Sequence, residues 1–201
     1  MTDSLSNLRS QLRRERRQVS LFQQRQSENT ILNRLRRHPQ FKSQHKIGLY
    51  LHAFGEISTH KIIEYCFSQH KAVYLPMICN MNQHLVWVRI TPQDYHNKRF
   101  SKHGLGMLEP MASRGLTVSQ LDLLIMPLLA CDPSGTRLGM GGGFYDRTLA
   151  AAPQLPYRVG LAHDFQLIQQ PLIRQAWDQP LDELITPQAS YRFKRHFSQS
   201  H

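Results

Sequence analysis

Residues 132–146 read DPSGTRLGMGGGFYD. Five of the chain's 11 glycines fall in this stretch, together with Arg137, Phe144, Tyr145 and Asp146. Ordering a glycine costs more backbone entropy than ordering any other residue. So dense a cluster is either a flexible connector or a cradle whose backbone a ligand must approach closely. As a cradle its chemistry is anion binding: no Cβ blocks the amides, and successive amides form a nest. Arg137 supplies a planar, permanently charged fork for phosphate oxygens. Asp146 suits a magnesium ion shared with substrate oxygens, and Phe144 and Tyr145 offer flat faces to a heterocycle. As a connector, the loop simply leaves Arg137 and Asp146 solvated. No GK[ST] follows, and GMGGGF is only a loose form of GxGxxG. The glycines alone leave both readings open.

The elements around the loop bear on that choice. It follows Leu121–Leu129 (LDLLIMPLL), the most apolar strand candidate, and precedes a helix from about Gly143 to Ala151. Ligands of open α/β sheets sit at the carboxyl ends of strands, and the amides of a helix N-terminus attract anions. Further strands are expected at 46–51, 71–76, 85–90, 158–162 and 183–186, with a turn at 80–83. Leu5, Leu8 and Leu12 recur at helical spacing, with Arg9, Arg13, Arg16 and Arg17 expected on the opposite face. Ser20–Gln23 looks like a capping box that starts a second helix, with Leu21, Ile31, Leu32 and Leu35 as its apolar face and Pro39 beyond its end. Thr59 is the expected cap of a helix through Cys66. Residues 91–116 read as irregular. Strands alternating with helices predict an α/β fold: one domain over 1–201, a mostly parallel central sheet flanked by helices, Rossmann-like and three-layered. Residues 1–19 form its basic N-terminal helix and 190–201 a frayed tail.

The formal net charge is +11. Residues 1–46 carry 11 Lys/Arg against 3 Asp/Glu, so the basic character is mainly N-terminal and predicts an anionic partner. No apolar run approaches a membrane span and no signal sequence is visible. The 3 cysteines show neither CxxC nor a metal spacing, which suits a reducing, cytoplasmic setting. The 11 histidines form no HExxH or HxxxH pair. There is no GxSxG. Hydrolytic zinc and serine chemistry are thereby disfavoured.

The longer string DPSGTRLGMGGGFYDRTL (132–149) resembles the signature of the 5-formyltetrahydrofolate cyclo-ligase family. The similarity continues, in order, through LRSQLRRERRQVS (8–20), EIST (56–59), KAVYLP (71–76), Glu109-Pro110, LDLLIMP (121–127), GLAHDFQ (160–166) and WDQPLD (177–182). It departs at Leu5, where relatives often have a basic residue, at Cys131 and Phe144, and at Gly142, where some have lysine. A loop without that lysine leaves more of the phosphate charge to Arg137 and the N-terminal helix.

The resemblance implies an ATP- and magnesium-dependent ligase that converts 5-formyltetrahydrofolate, with or without a polyglutamate tail, to 5,10-methenyltetrahydrofolate. Residue by residue, it implies catalytic roles for Arg137 and Asp146. ATP would be bound by Arg9, Arg137, Leu138, Gly139, Met140, Gly141, Gly142, Gly143, Phe144 and Tyr145. Folate would be bound by Arg9, Leu51, Glu56, Met140, Gly141, Gly142, Gly143 and Phe144, with Trp87 and Met107 as further lining. Asp146 and Asp178 would hold magnesium. Asp132 reads as a turn organiser. The expected state is a cytoplasmic monomer without membrane or nucleic-acid partners. Two rivals stand beside this: a basic RNA-binding protein, and an ATP-dependent enzyme acting on another formylated substrate.

Overall fold

The computed structural model describes residues 2–79 and 81–195. In chain order the elements are α1 (Thr2–Gln18), α2 (Leu21–Arg37), α3 (Pro39–Ser43), β1 (Lys46–Gly48), α4 (His60–Ser68), β2 (Ala72–Ile78) and β3 (Leu85–Ile90). They continue with α5 (Pro92–His96), β4 (Phe100–Lys102), β5 (Leu108–Pro110), β6 (Leu123–Met126), β7 (Ala130–Cys131) and β8 (Arg137–Leu138). Last come α6 (Phe144–Ala150), β9 (Tyr157–Leu161), β10 (Glu183–Ile185) and β11 (Ser190–Arg192).

The central sheet runs β11-β10-β9-β6-β1-β2-β3. The five inner strands are parallel; β3 and β11 close the edges antiparallel. The expected α/β architecture is therefore present. Alternate strand residues feed two cores, as the pleat requires. Val73, Leu75, Leu123 and Ile125 pack with Ile31, Leu35, Ile62 and Ile63 from α2 and α4. Tyr74, Leu124 and Met126 pack with Trp87 and Leu149 on the other face. The chain leaves β1 toward β2 on one side and later builds β6, β9 and β10 on the other. The direction of winding thus reverses between β1 and β6, and a ligand cleft belongs at the carboxyl ends there.

Several expectations change in detail. The strand at 121–129 ends at Met126, because Pro127 donates no ladder hydrogen bond; Leu129 then turns onto a separate ribbon, with its N–H 2.8 Å from Leu138 O. Leu21 is 75% exposed and not part of the α2 core face. The Ser20 capping box is present, as expected. Thr59 is the N-cap residue of α4, as expected, but its side chain makes no cap hydrogen bond: its hydroxyl donates to Tyr50 O at 2.6 Å, while Glu28 Oε1 accepts from Lys61 N at 2.9 Å. Residues 91–116 hold α5 and the β4–β5 hairpin. The supposed frayed tail carries β11, and Phe193 and Arg195 beyond it pack on Gly135 and Asp182. Residues 196–201, like Asn80 of the expected turn, lie outside the described residues.

Candidate functional site

The glycine stretch begins as a rigid turn. Asp132, 1% exposed, accepts at Oδ1 from Ser134 N (2.9 Å), Ser134 Oγ (2.8 Å) and Thr136 N (2.9 Å), and at Oδ2 from Leu172 N (2.9 Å). It organises the turn, as expected. Arg174 reinforces it from outside, donating to Thr136 Oγ1 and Ser134 O. Arg137 then enters β8 with its side chain buried. Its Nη2 donates to both oxygens of Asp146, at 3.0 and 2.9 Å, and its guanidinium lies 5.4 Å from the Tyr145 ring centroid. Gly139 leaves room for it: a Cβ there would stand 2.8 Å from Arg137 Nη1.

Beyond Gly139 the backbone opens. Gly141 and Gly143 have φ of +107° and +65°, and a Cβ at Gly141 would meet nothing within 4 Å. Only glycine takes these dihedrals without strain. Gly143 is the N-cap residue of α6, which carries Asp146 in its first turn.

Helix α1 lies across the loop. Arg9 Nε donates to Gly139 O (3.2 Å), Arg13 Nη2 to Met140 O (2.7 Å), and Arg16 Nη2 lies 3.7 Å from Met140 Sδ. Arg9, Arg13 and Arg16 therefore share a face with Leu5, Leu8 and Leu12, contrary to the expected segregation; Arg14 and Arg17 are the exposed ones. On the far wall, Glu56 Oε2 accepts from Ala53 N at 3.0 Å, and Oε1 lies 3.6 Å from Arg16 Nη1. Burial pushes the Glu56 carboxyl up, and Arg16 and the Ala53 amide partly offset it. Burial also raises the Tyr145 and Tyr50 hydroxyls well above their usual range.

These pieces enclose one cavity of about 970 Å³ at the carboxyl ends of β1 and β6. All the residues expected to bind line it: Arg9, Leu51, Glu56, Arg137, Leu138, Gly139, Met140, Gly141, Gly142, Gly143, Phe144, Tyr145, Asp146 and Asp178. Met107 lines it too. Trp87 does not; it is wholly buried in the second core. Asp178 Oδ2 accepts from Gln175 N at 2.8 Å, which closes a turn on the rim, and Gln179 N donates to Asp146 Oδ1 at 3.2 Å. Sequence reasoning missed Arg13, Arg147 and Tyr50 in the lining. The spacing of Arg9, Arg13 and Arg16, at i, i+4 and i+7, is the signal that marks one helical face.

A largely parallel sheet with a glycine-loop cavity at its reversal point defines an α/β protein that takes its ligand at the strand carboxyl ends. The profile of the 5-formyltetrahydrofolate cyclo-ligase family matches residues 1–187. The chain belongs to that family. It is 33% identical over 188 residues to the 5-formyltetrahydrofolate cyclo-ligase of Haemophilus influenzae, covering 92% of this chain and 98% of that one. It is 35% identical over 180 residues to the Escherichia coli K12 enzyme of the same name, covering 88% and 96%. The structure is similar to that of Aquifex aeolicus 5,10-methenyltetrahydrofolate synthetase, with a TM-score of 0.80, 27% identity, and 98% and 96% coverage. At 18% identity and a TM-score of 0.70, the Mycoplasma pneumoniae synthetase shares the fold.

Proposed function

We propose that the chain is a 5-formyltetrahydrofolate cyclo-ligase, which turns 5-formyltetrahydrofolate and MgATP into 5,10-methenyltetrahydrofolate, ADP and phosphate. The observation that carries this reading is convergence: residues from α1, the β1–α4 loop, the glycine loop and the 172–179 segment line one cavity, and they include Arg9, Glu56, Arg137 and Asp146.

The chemistry accounts for the residue types. A formamide carbonyl is a weak electrophile, and its oxygen is a poor leaving group. Transfer of the γ-phosphoryl group to that oxygen breaks the P–O bond to ADP and makes an imidate phosphate. The N10 lone pair then attacks the formyl carbon, the C–O bond breaks with its electrons leaving on phosphate, and the N10 proton is lost. Positioning and charge neutralisation dominate such transfers. Arg137 and Arg9 neutralise phosphate charge, while the amides from Leu138 to Tyr145 wrap the triphosphate. Arg9, Leu51 and the stretch Met140–Phe144 contact folate. Glu56 accepts paired hydrogen bonds from the aminopyrimidine edge.

Asp146 and Asp178 suit magnesium. Both offer hard oxygen donors to the same cavity. Among the described residues no three His, Cys, Asp or Glu side chains form a metal cluster. A metal here would complete its sphere with phosphate oxygens and water, which is how magnesium is usually held. When bound, it neutralises phosphate charge. Arg13 and Arg147 on the cavity lining supply charge complementary to a glutamyl tail. None of the described helices is long and apolar enough to cross a membrane.

Substrate choice tests the reading. Offered MgATP with a panel of formylated amines and folates, the protein should release ADP rapidly only with 5-formyltetrahydrofolate. Faster release with another formamide would assign it to a different substrate. Steeply salt-dependent RNA binding without folate-dependent ADP release would assign it to the nucleic-acid class.

A further inference from the structure

Arg16 is 1% exposed and does not line the cavity, yet it joins three of the cavity's walls. Its Nε donates to Phe54 O at 2.9 Å and its Nη1 to Leu128 O at 3.2 Å. The same Nη1 lies 3.6 Å from Glu56 Oε1, and Nη2 lies 3.7 Å from Met140 Sδ. The loop that carries Glu56 is pressed onto this residue: a Cβ on Gly55, which has φ +78°, would stand 2.2 Å from Arg16 O.

Burying a guanidinium costs several kcal/mol unless charge and hydrogen bonds offset it. Two carbonyls satisfy its geometry, but only Glu56 supplies opposite charge. The dependence is mutual. Burial lowers the tendency of Arg16 to hold its proton and raises that of Glu56, and each offsets the other. The other titratable groups facing this pair are Tyr50 after β1, Tyr145 on α6, Arg13 and Arg17 on α1, and His163. The tyrosines are neutral near pH 7, because burial raises their hydroxyls. His163 is kept neutral by burial. Arg16 is therefore the cation in contact with Glu56.

We propose that Arg16 is a positioning residue for folate recognition: without touching either substrate, it holds the Glu56 carboxyl in place at the cavity wall and ties it to the glycine loop at Met140. The inference rests on the reading of Glu56 as the group that meets the aminopyrimidine. A carboxylate accepts two hydrogen bonds from such an edge; a protonated acid presents one O–H donor where an acceptor is needed.

The test compares R16M, R16K, E56Q and R16M/E56Q in steady-state kinetics across pH. R16M should raise the folate KM at pH 7 about tenfold and leave the ATP KM within about threefold, as loss of one charge-assisted interaction implies. Its acid limb in kcat/KM for folate should move up by about one pH unit, since removing a neighbouring cation raises a carboxyl pKa. R16K should restore most of both effects, and the limb should be absent from E56Q and from the double variant. R16Q keeps hydrogen bonding without charge and gives the same comparison if R16M does not fold. Equal rises in both KM values with an unmoved limb would make Arg16 a mere strut and overturn the proposal, as would a limb shift that persists without Glu56. An unchanged folate KM in E56Q would instead sink the reading of Glu56 itself.

Discussion

Both carboxylate oxygens of Asp146 accept from one nitrogen of Arg137, Nη2, at 3.0 and 2.9 Å. The pair joins the only arginine of the glycine stretch to the stretch's last residue, nine positions on. Each group neutralises the other, and on the proposed reading a triphosphate with its metal would offer each a better partner. Arg137→Ala should therefore lower kcat by about a hundredfold, the scale seen when one preorganised donor is removed from developing charge. Stopped-flow measurement of methenyl formation checks this, and near-normal turnover would remove Arg137 from the reaction.

Asp146→Asn keeps the shape of the side chain and removes its charge. Magnesium should then be needed at roughly tenfold or higher concentration for half-maximal activity. An unchanged magnesium titration would dissociate Asp146 from the metal.

Gly139→Ala separates geometry from charge. The added Cβ would stand 2.8 Å from Arg137 Nη1, so the guanidinium must shift. A displacement near 1 Å costs on the order of a hundredfold in rate. The expected outcome is a large fall in kcat with the melting temperature lowered by only a few degrees. Equal losses of activity and stability would point to a collapsed loop.

Asp132 governs stability and its pH dependence. Burial would raise its carboxyl pKa, but hydrogen bonds from Leu172, Ser134 and Thr136 outweigh this and hold it below the ordinary range. A folded pKa below the unfolded one contributes stability above the unfolded value, about pH 3.9, that is lost as pH falls through the folded value. Asp132→Asn should cost roughly 2–3 kcal/mol at pH 7, because its amide sets a donor against donors. It should also flatten the loss of stability in acid. Urea unfolding at pH 7 and in steps below pH 4.5 reads both effects. An undiminished acid slope in the variant would show that other carboxyls carry it.

Trp177 is 66% exposed on the cavity lining, whereas Trp87 is wholly buried in the core. Ligand entry should change the emission of Trp177 alone. Titration with a non-hydrolysable ATP analogue or with folate should alter fluorescence in the wild type and not in Trp177→Phe. A full signal in the variant would place binding elsewhere.

The site was legible in the sequence where it is local. Residues 132–146 form one continuous turn, loop and helix start, so their order along the chain is their order in space. The glycines left connector and cradle open; the resemblance, and then the cavity, favoured the cradle. Non-local relations were hidden. Amphipathic patterning alone sets Arg9, Arg13 and Arg16 opposite the leucines, whereas the cavity lets both share the inward side of α1. At the start of α4 the Lys61 amide is accepted by Glu28, 33 residues away along the chain, and not by the Thr59 side chain. β11 reads as a polar tail because an edge strand needs few buried side chains; its place depends on pairing with β10.

On the proposed reading, this cavity couples phosphoryl transfer to closure of the folate ring. The most direct measurement mixes purified protein with 5-formyltetrahydrofolate and MgATP, follows near-ultraviolet absorbance for methenyl formation, and counts ADP in the same samples. One ADP should appear for each methenyltetrahydrofolate formed, and none without the folate. ADP release independent of the folate, or no methenyl product with both substrates saturating, would contradict it.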